Sequence, residues 1–545
     1  MNLLMNPVIT EEQFLKLAHT CDSLLQGKDT PVELIAVPWF HIINEVPFLL
    51  SEYSDTITVL SDDRDLRYEL ESVYSDIKRA HKRTCEYARL VKDLIRSITE
   101  YREYKRKVGL DEKAGRVDVL IVSLLLSGDH LRKQEDFYVG NLQSALHDRG
   151  ISSIRVLRNY TGYKLKELNH KSDLDDTPAS LILPDQTSFR EEISYVKRCL
   201  KARALLRRLA ESKSFKFESR LYKKAADHVV KRQTIKNMRL HSQIEKLCRR
   251  FKPSILITLY EGHAWERCVW HAGRMIYPDV FCVGYQHVIF RKLSHSVKRS
   301  LTPNSQYDPD LILTVGDITK NILDNSKELY GIPTLTYGTH RRNNHNNISG
   351  TPQRMPVFLV LPEGVESESL YLFEFAIQCA RILSDVKFIL RTHPVLPFER
   401  LRPKLKNVRL LPDNIEVSLN GAIEEDFSRA SSLIYRGSST VLYAILEGLK
   451  PYYIARENEL NFDPIYQLGV WRENVYSVDE LVCKFKSDQT KNDMERTRKW
   501  REAVDYCDKY VMPIKSDAID KMLALSKSLP QSSNRFSIST ESKLV

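Results

Sequence analysis

Two series of short apolar segments constrain what this chain can fold into. Each segment closes on a polar loop and is followed by a helix-like stretch. The first series opens with Val117–Leu126, VDVLIVSLLL, a continuous run rich in β-branched residues. A run apolar on both faces is a strand of a parallel sheet covered by helices on both sides. It ends in the polar loop SGDHLRKQEDFYVGNL, and Ile154–Leu157 follows at the spacing a βαβ unit needs. Ser254–Leu259, Val280–Tyr285 and Leu311–Val315 repeat the pattern. The second series holds Val357–Leu361, Lys387–Leu390, Val408–Leu411, Ser432–Tyr435 and Pro451–Ile454. Between the two lies GTHRRNNHNNISGTPQRMP, a polar, Asn-rich linker. The expected fold class is α/β, with two Rossmann-like domains whose strand-end loops face each other across a cleft.

A chain of 545 residues is too long for one core. The reading divides it into a mostly helical extension (1–114), a first Rossmann-like domain (115–340) with a basic helical insertion (187–250), a linker (341–356), a second Rossmann-like domain with closing helices (357–525) and a disordered tail (526–545). Within the extension, ELIAVPWFHII and TITVL are expected as edge strands. Asp65–Lys107 is expected as helix, solvated on one face.

The balance of 82 Lys and Arg against 71 Asp and Glu gives a net charge of +11. This suits anionic substrates or an anionic membrane surface. No zinc-finger spacing, RNP motif or Arg-rich tail is present, so nucleic acid is not the expected partner. The basic stretch Lys197–Leu209 is either a solvated helix face or one that grips a membrane or polyanion. The nine cysteines form no C-x-x-C pair, which points to reduced thiols rather than a disulfide framework or zinc site. MNLLMNPVITEEQF lacks the charged and apolar regions of a signal peptide, and no apolar run approaches the ~20 residues of a membrane span. The expected location is the cytoplasm, with peripheral association at the inner membrane as a further option.

Two strand ends carry the chemistry. One holds His393-Pro394, the other Gly437-Ser438-Ser439-Thr440. A Gly-Ser-Ser-Thr turn opening a helix presents backbone N–H groups, hydroxyls and the positive end of a helix dipole, a set suited to phosphate. The pairing resembles the HP and SS/T motifs of bacterial sialyltransferases and polysialyltransferases, which have the GT-B fold. Those families also carry an acidic-acidic-Gly motif in the first domain. Here Tyr260-Glu261-Gly262 matches it in part, with Tyr260 at the first acidic position. The turn and the following Glu447-Gly448-x-Lys450-Pro451 are similar to the donor half of CDP-glycerol glycerophosphotransferases and CMP-Kdo transferases. GDHLRKQEDFYVGNL, and EGHAWER with GYQH, resemble bacterial surface-carbohydrate biosynthesis proteins. The resemblance covers roughly residues 115 to 470.

The resemblance implies a glycosyltransferase that is metal-independent and inverting, with no cofactor. It implies a nucleotide-sugar donor, a CMP-linked acidic sugar being favoured, and a polysaccharide or glycolipid acceptor such as capsule or lipopolysaccharide. The first domain then holds the acceptor and the second the donor. His393, Ser438 and Ser439 donate to the leaving phosphate. Glu363, Gly364, Arg391, Pro394, Gly437, Thr440 and Glu447 are the further donor-side residues. The acceptor hydroxyl needs a base. Glu261 is the first candidate, Asp136 the second and His287 the third, with His263 and Gln286 beside them on the acceptor side. Two alternatives stay open: a CDP-polyol phosphotransferase of the same fold, and a non-catalytic GT-B protein of surface-polysaccharide assembly. Thr339-His340-Arg341-Arg342-Asn343 resembles a motif of UDP-GlcNAc 2-epimerases and is read here as linker.

Overall fold

The computed structural model describes residues 10–25, 30–44, 84–85, 88–98, 115–131, 135–169, 180–212, 216–293, 297, 306–326, 332–342, 355–393, 396–405, 410–418, 421–457, 460–490 and 492–528. Seven strands build the first sheet: β1 (Val119–Leu125), β2 (Ser153–Asn159), β3 (Ser180–Ile182), β4 (Ile255–Leu259), β5 (Phe281–Gln286), β6 (Leu311–Thr314) and β7 (Thr334–Thr336). All pairs are parallel, in the order β3-β2-β1-β4-β5-β6-β7. The second sheet holds β8 (Val357–Leu361), β9 (Lys387–Arg391), β10 (Ile415–Ser418), β11 (Ser432–Tyr435), β12 (Lys450–Ile454) and β13 (Glu473–Val475). It is also parallel, in the order β10-β9-β8-β11-β12-β13.

Both orders step outward from a central strand, return, and continue on the other side. The chain therefore reverses direction between β1 and β4 in one sheet and between β8 and β11 in the other. Loops leaving the C-terminal ends of those four strands border the crevice where such sheets bind ligands. β4, β5, β6, β8 and β11 are buried at every position, which is why each reads as an unbroken apolar run. Two Rossmann-like domains with strand ends turned to a shared cleft make this a GT-B fold.

The basic stretch after β3 is helical: Phe189–Ser212, Lys216–His228 and Arg232–Phe251. The segment ELIAVPWFHII, expected as an edge strand, is helical instead, with a turn of α-helix at Val32–Ile35 and a 3-10 helix at Pro38–Asn44. Pro31 and Pro38 suit helix starts and interrupt strand ladders. Val32, Ile35, Ala36, Trp39 and Phe40 are all buried, a 3–4 residue spacing rather than an alternation. TITVL lies outside the described residues; of the expected long helix, 84–85 and 88–98 are described and helical. Val408–Leu411 is not a strand in its described part: Leu410 is 82% exposed, and β10 begins at Ile415. Pro412 has no N–H for a ladder, and its carbonyl accepts from the Ile415 N–H at 3.0 Å to turn the chain into β10. The segment 526–545 is described only to 528, where the last helix ends.

The closing helices divide between the domains. Asp493–Tyr510 packs on Val441–Leu446, and Trp500 Nε1 donates to the Ile445 carbonyl at 2.8 Å. Ser516–Ser528 returns to the first core, where Ala518, Ile519 and Met522 join Leu120 and Ile312. The crossing is stitched by main-chain bonds: Met512 N to Val315 O (2.9 Å), Thr339 N to Met512 O (2.7 Å) and Lys515 N to Tyr337 O (2.8 Å). Gly338 makes the approach possible. Its φ is +98°, and a Cβ there would lie 2.2 Å from the Pro513 carbonyl oxygen.

Candidate functional site

The reversal point of the first sheet builds an acid–histidine cluster. β4 ends at Leu259 and the chain turns through Tyr260-Glu261-Gly262 into the helix Ala264–Ile276. Gly262 takes φ +86°, a conformation that glycine adopts without strain. The Glu266 side chain, fully buried, reaches back to the turn and accepts from the N–H groups of Glu261 (3.0 Å), Gly262 (2.7 Å) and His263 (2.9 Å). That fixes the Glu261 backbone. Burial pushes the Glu266 carboxyl up, opposed by the N–H bonds that favour its charged form.

Glu261 holds two imidazoles. Its Oε1 is 2.7 Å from His287 Nε2, and its Oε2 is 3.2 Å from His263 Nε2. Burial opposes charge on Glu261, but His287 and then the His263 hydrogen bond hold its carboxyl below the usual carboxylate range. His287 follows β5 and is 7% exposed at its side chain. Tyr138 packs edge-on against it (centroids 4.7 Å apart) and Tyr285 stacks at 6.0 Å. With Nε2 hydrogen-bonded to a carboxylate, the neutral ring keeps its lone pair on Nδ1. Nδ1 lies 3.5 Å from the Tyr285 carbonyl oxygen, at the outer limit of a hydrogen bond.

His287 and Ser439 line one small cavity between the domains, together with Tyr138, Arg341 and Tyr443. Its volume of about 40 Å³ is too small for a nucleotide sugar.

The reversal point of the second sheet carries the glycine turn. The Gly437 N–H already has a partner, the Glu363 carboxylate at the end of β8. Glu363 Oε2 is buried with no hydrogen-bond partner, and burial raises the carboxyl above its ordinary value. Thus the group that sits on this turn is a carboxyl of the protein itself. A Cβ at Gly437 would lie 2.0 Å from the Phe462 ring, so the close approach requires glycine. Arg291, from the loop after β5, crosses the cleft. Its guanidinium lies 4.5 Å over the Phe462 ring and 3.4 Å from the Gly437 carbonyl oxygen. Burial lowers its pKa, and the Glu363 charge acts against that.

Gly364 adjoins Glu363 at the same strand end. Ser438 is half-buried and Ser439 exposed at the cleft. The helix they open is only Val441–Leu446, and its first N–H groups already bond the Ser438 and Ser439 carbonyls (3.3 and 3.2 Å), so the dipole expected there is small. Thr440 accepts from the Ala444 N–H and Glu447 stands at the far end of that helix. His393 is half-buried, and burial lowers its pKa, favouring the neutral ring. Pro394 lies outside the described residues. Three candidates are turned elsewhere. Asp136 is 5% exposed, and one of its oxygens accepts from Ser123 Oγ (3.1 Å) and the N–H groups of Tyr138 (2.8 Å) and Val139 (3.0 Å), which fits a loop anchor rather than a base. Arg391 is ion-paired to Asp426 at 2.5 Å and donates to the Gly421 carbonyl at 2.8 Å, away from the glycine turn. Gln286 is fully buried, with its amide donating to the Val288 carbonyl, so it does not face the acceptor side.

Sequence reasoning missed Arg291 and Arg341. Arg341, in the segment read as linker, lies over Phe137 (4.3 Å) and Tyr138 (5.4 Å), while Arg342 pairs with Asp508 at 2.6 Å. Thr339–Arg342 is therefore packed at the cleft and follows β7. Arg436, the residue before the glycine turn, is fully buried. It shares Glu368 with Arg456 at 2.6 and 3.1 Å, bracing the strand ends beneath the turn. Among the described residues no group of three or more His, Cys, Asp or Glu side chains is placed to hold a metal ion.

No protein-family model matches the chain, and no curated protein matches it. Solved structures do match. The glycotransferase of kitacinnamycin is 9% identical over 75% of this chain and 99% of its own, with a TM-score of 0.42. The glycosyltransferase SnogD from Streptomyces nogalater is 12% identical over 75% and 100%, with a TM-score of 0.41. The UDP-GlcNAc 2-epimerase from Neisseria meningitidis, bound to UDP-GlcNAc, is 11% identical over 75% and 100%, with a TM-score of 0.42.

Proposed function

We propose that this chain is a glycosyltransferase. The second domain holds a nucleotide-linked sugar and the first presents an acceptor hydroxyl. The observation that carries the reading is the Glu261–His287 pair, 2.7 Å apart, on the cleft opposite Ser439 and the Gly437 turn. His287 takes the acceptor proton at Nδ1, and Glu261 stabilises the imidazolium that results. The acceptor oxygen bonds to the anomeric carbon as the bond from that carbon to the phosphate oxygen breaks, and the nucleotide leaves with the electron pair. Negative charge then grows on the phosphate. Arg291, the Ser438 and Ser439 hydroxyls, His393 and the Gly437 N–H, once Glu363 withdraws, supply the stabilising donors. In this reading Glu261 is the partner of the base rather than the base, because both its carboxylate oxygens already face imidazole nitrogens.

The finer parts of the proposal rest on the motif resemblance. The donor is a CMP-linked acidic sugar, the transfer inverts and needs no metal, and the acceptor is a surface polysaccharide or glycolipid. The work is done in the cytoplasm, with peripheral contact at the inner membrane. Among the described residues no helix is long and apolar enough to cross a membrane. The test is incubation with CMP-, CDP-, UDP- and GDP-linked sugars, followed by detection of released nucleotide. Release by the wild type, with loss in His287→Ala, supports the reading. Release of a CDP-linked polyol phosphate instead of a sugar replaces it with the phosphotransferase alternative. No release and no nucleotide binding leaves the non-catalytic one.

A further inference from the structure

We infer that the first domain holds a second anion site, which seats a phosphate or carboxylate group of the acceptor in a basic cavity at the C-terminal ends of β2 and β3. The inference rests on the transferase reading only for the word acceptor. The cavity has a volume of about 300 Å³. Arg96, Arg158, Arg232, Lys236 and Arg239 line it, against the single carboxylate of Asp185. Two of these cations are already neutralised: Arg232 by Asp93 (2.5 and 2.8 Å) and Arg239 by Glu192 (2.7 and 2.8 Å).

Lys236 and Arg158 have no ion pair among the described residues. Arg158 is 8% exposed, and its Nη1 is buried with no hydrogen-bond partner. A buried, unpaired guanidinium N–H is costly, and such groups in folded proteins normally have a partner. The Arg158 guanidinium lies over the Trp265 ring at 4.5 Å and the Tyr160 ring at 5.4 Å. Packing against rings leaves the edges of the plane, where the N–H donors are, for a planar oxyanion. Lys236 stands near Arg232 and Arg239 as well as Asp185, and burial together with these like charges lowers its pKa. An anion in the cavity relieves both strains at once.

The position fits the acceptor. Apart from Arg96, in the N-terminal extension, every lining residue belongs to the first domain, so the donor half has no part in it. Trp265 sits in the first turn of the helix that leaves the Glu261 loop, and Arg158 acts electrostatically on Glu266, which fixes that loop. A group held by Arg158 therefore sits beside the helix that follows the Glu261 loop. A concave site of about 300 Å³ suits a compact anionic group rather than a flat membrane or a duplex.

The test is calorimetric titration of the full chain, without donor, with inorganic phosphate and separately with glucuronate. Wild type is expected to bind at least one of them, and Lys236→Gln to weaken that binding about tenfold or more. Lys236→Gln also melts no lower than wild type, because it removes a cation crowded by two others; a purely structural lysine would lower the melting temperature. Arg158→Gln gives a second reading of the binding. Preference for phosphate assigns a phosphate-bearing acceptor, and preference for glucuronate a carboxylate-bearing one. Binding of neither anion, or unchanged binding in both variants, overturns the proposal. Displacement of the bound anion by CMP overturns its assignment to the acceptor. Because no donor is present, these outcomes do not depend on whether the cleft transfers a sugar.

Discussion

Glu261→Gln isolates the charge of the pair at the cleft. The amide oxygen still accepts from His287 Nε2, and the glutamine has the same length, so the geometry is kept and the charge is lost. The nitrogen and oxygen are 2.7 Å apart. Charge centres ~4 Å apart interact by ~4 kcal/mol at an effective dielectric constant of ~20. The Glu261 side chain is 27% exposed, and solvent screening brings this to ~3 kcal/mol. That energy favours the imidazolium formed as the acceptor is deprotonated, so kcat/KM should fall about 100-fold. The assay is sugar transfer, or donor hydrolysis, at saturating donor. Stability gives an independent readout. Glu261 has a lowered pKa in the folded state, so its contribution is present above the ordinary carboxylate range and is lost as pH falls through the folded value. The variant should therefore melt below wild type at pH 7, with the gap closing on acidification. Full kcat/KM in Glu261→Gln would refute the pairing as a catalytic device.

Three further perturbations test neighbouring claims. Glu363 has a raised carboxyl pKa and occupies the Gly437 N–H, so donor binding should take up a proton and weaken as pH rises through that value. Glu363→Gln should flatten this dependence and tighten donor binding roughly tenfold at pH 8; wild-type binding that is flat with pH would contradict it. Gly437→Ala brings a methyl group to 2.0 Å from the Phe462 ring, so the variant should lose ~1–3 kcal/mol of stability and most donor affinity, with partial recovery in the double variant with Phe462→Leu; an unchanged melting curve would contradict the packing. Asp136→Ala removes a carboxylate oxygen that three donors share, and should cost ~1–3 kcal/mol of stability while changing kcat only a few-fold. A kcat loss of ~100-fold or more in folded protein would restore Asp136 as the base.

The buried parallel strands were legible because both their faces are apolar: Val117–Leu126 and Ser432–Tyr435 announce themselves without any partner. The three-residue strands β3, β7 and β13 carry too few residues for a pattern, and Val408–Leu411 was misread because an exposed and a half-buried leucine beside a proline look like a strand end. The glycine turn and Glu261 were found from residue type and placement at strand ends. Which of Gln286 and His287 enters the cleft was not legible: neighbours at a strand end point to opposite sides, and composition does not say which side is which. Arg291 and Arg341 depend on how separate segments meet. Arg291 is far in sequence from Phe462 and Gly437, so no local pattern marks it. The return of Ser516–Ser528 to the first core is likewise a tertiary event, set by Ala518, Ile519 and Met522 finding the first sheet rather than the second.

The proposed cleft is a transfer site with His287 as base and the Gly437 turn as phosphate holder. One measurement addresses both halves: mass-spectrometric detection of nucleotide and transferred sugar from a panel of nucleotide-linked donors, with wild type, His287→Ala and Arg291→Ala side by side. Nucleotide release by the wild type from a CMP-linked donor is expected. So are slower turnover with donor binding retained in His287→Ala, and weakened donor binding in Arg291→Ala. Equal turnover in all three proteins, or no nucleotide bound by any of them, would contradict the proposal.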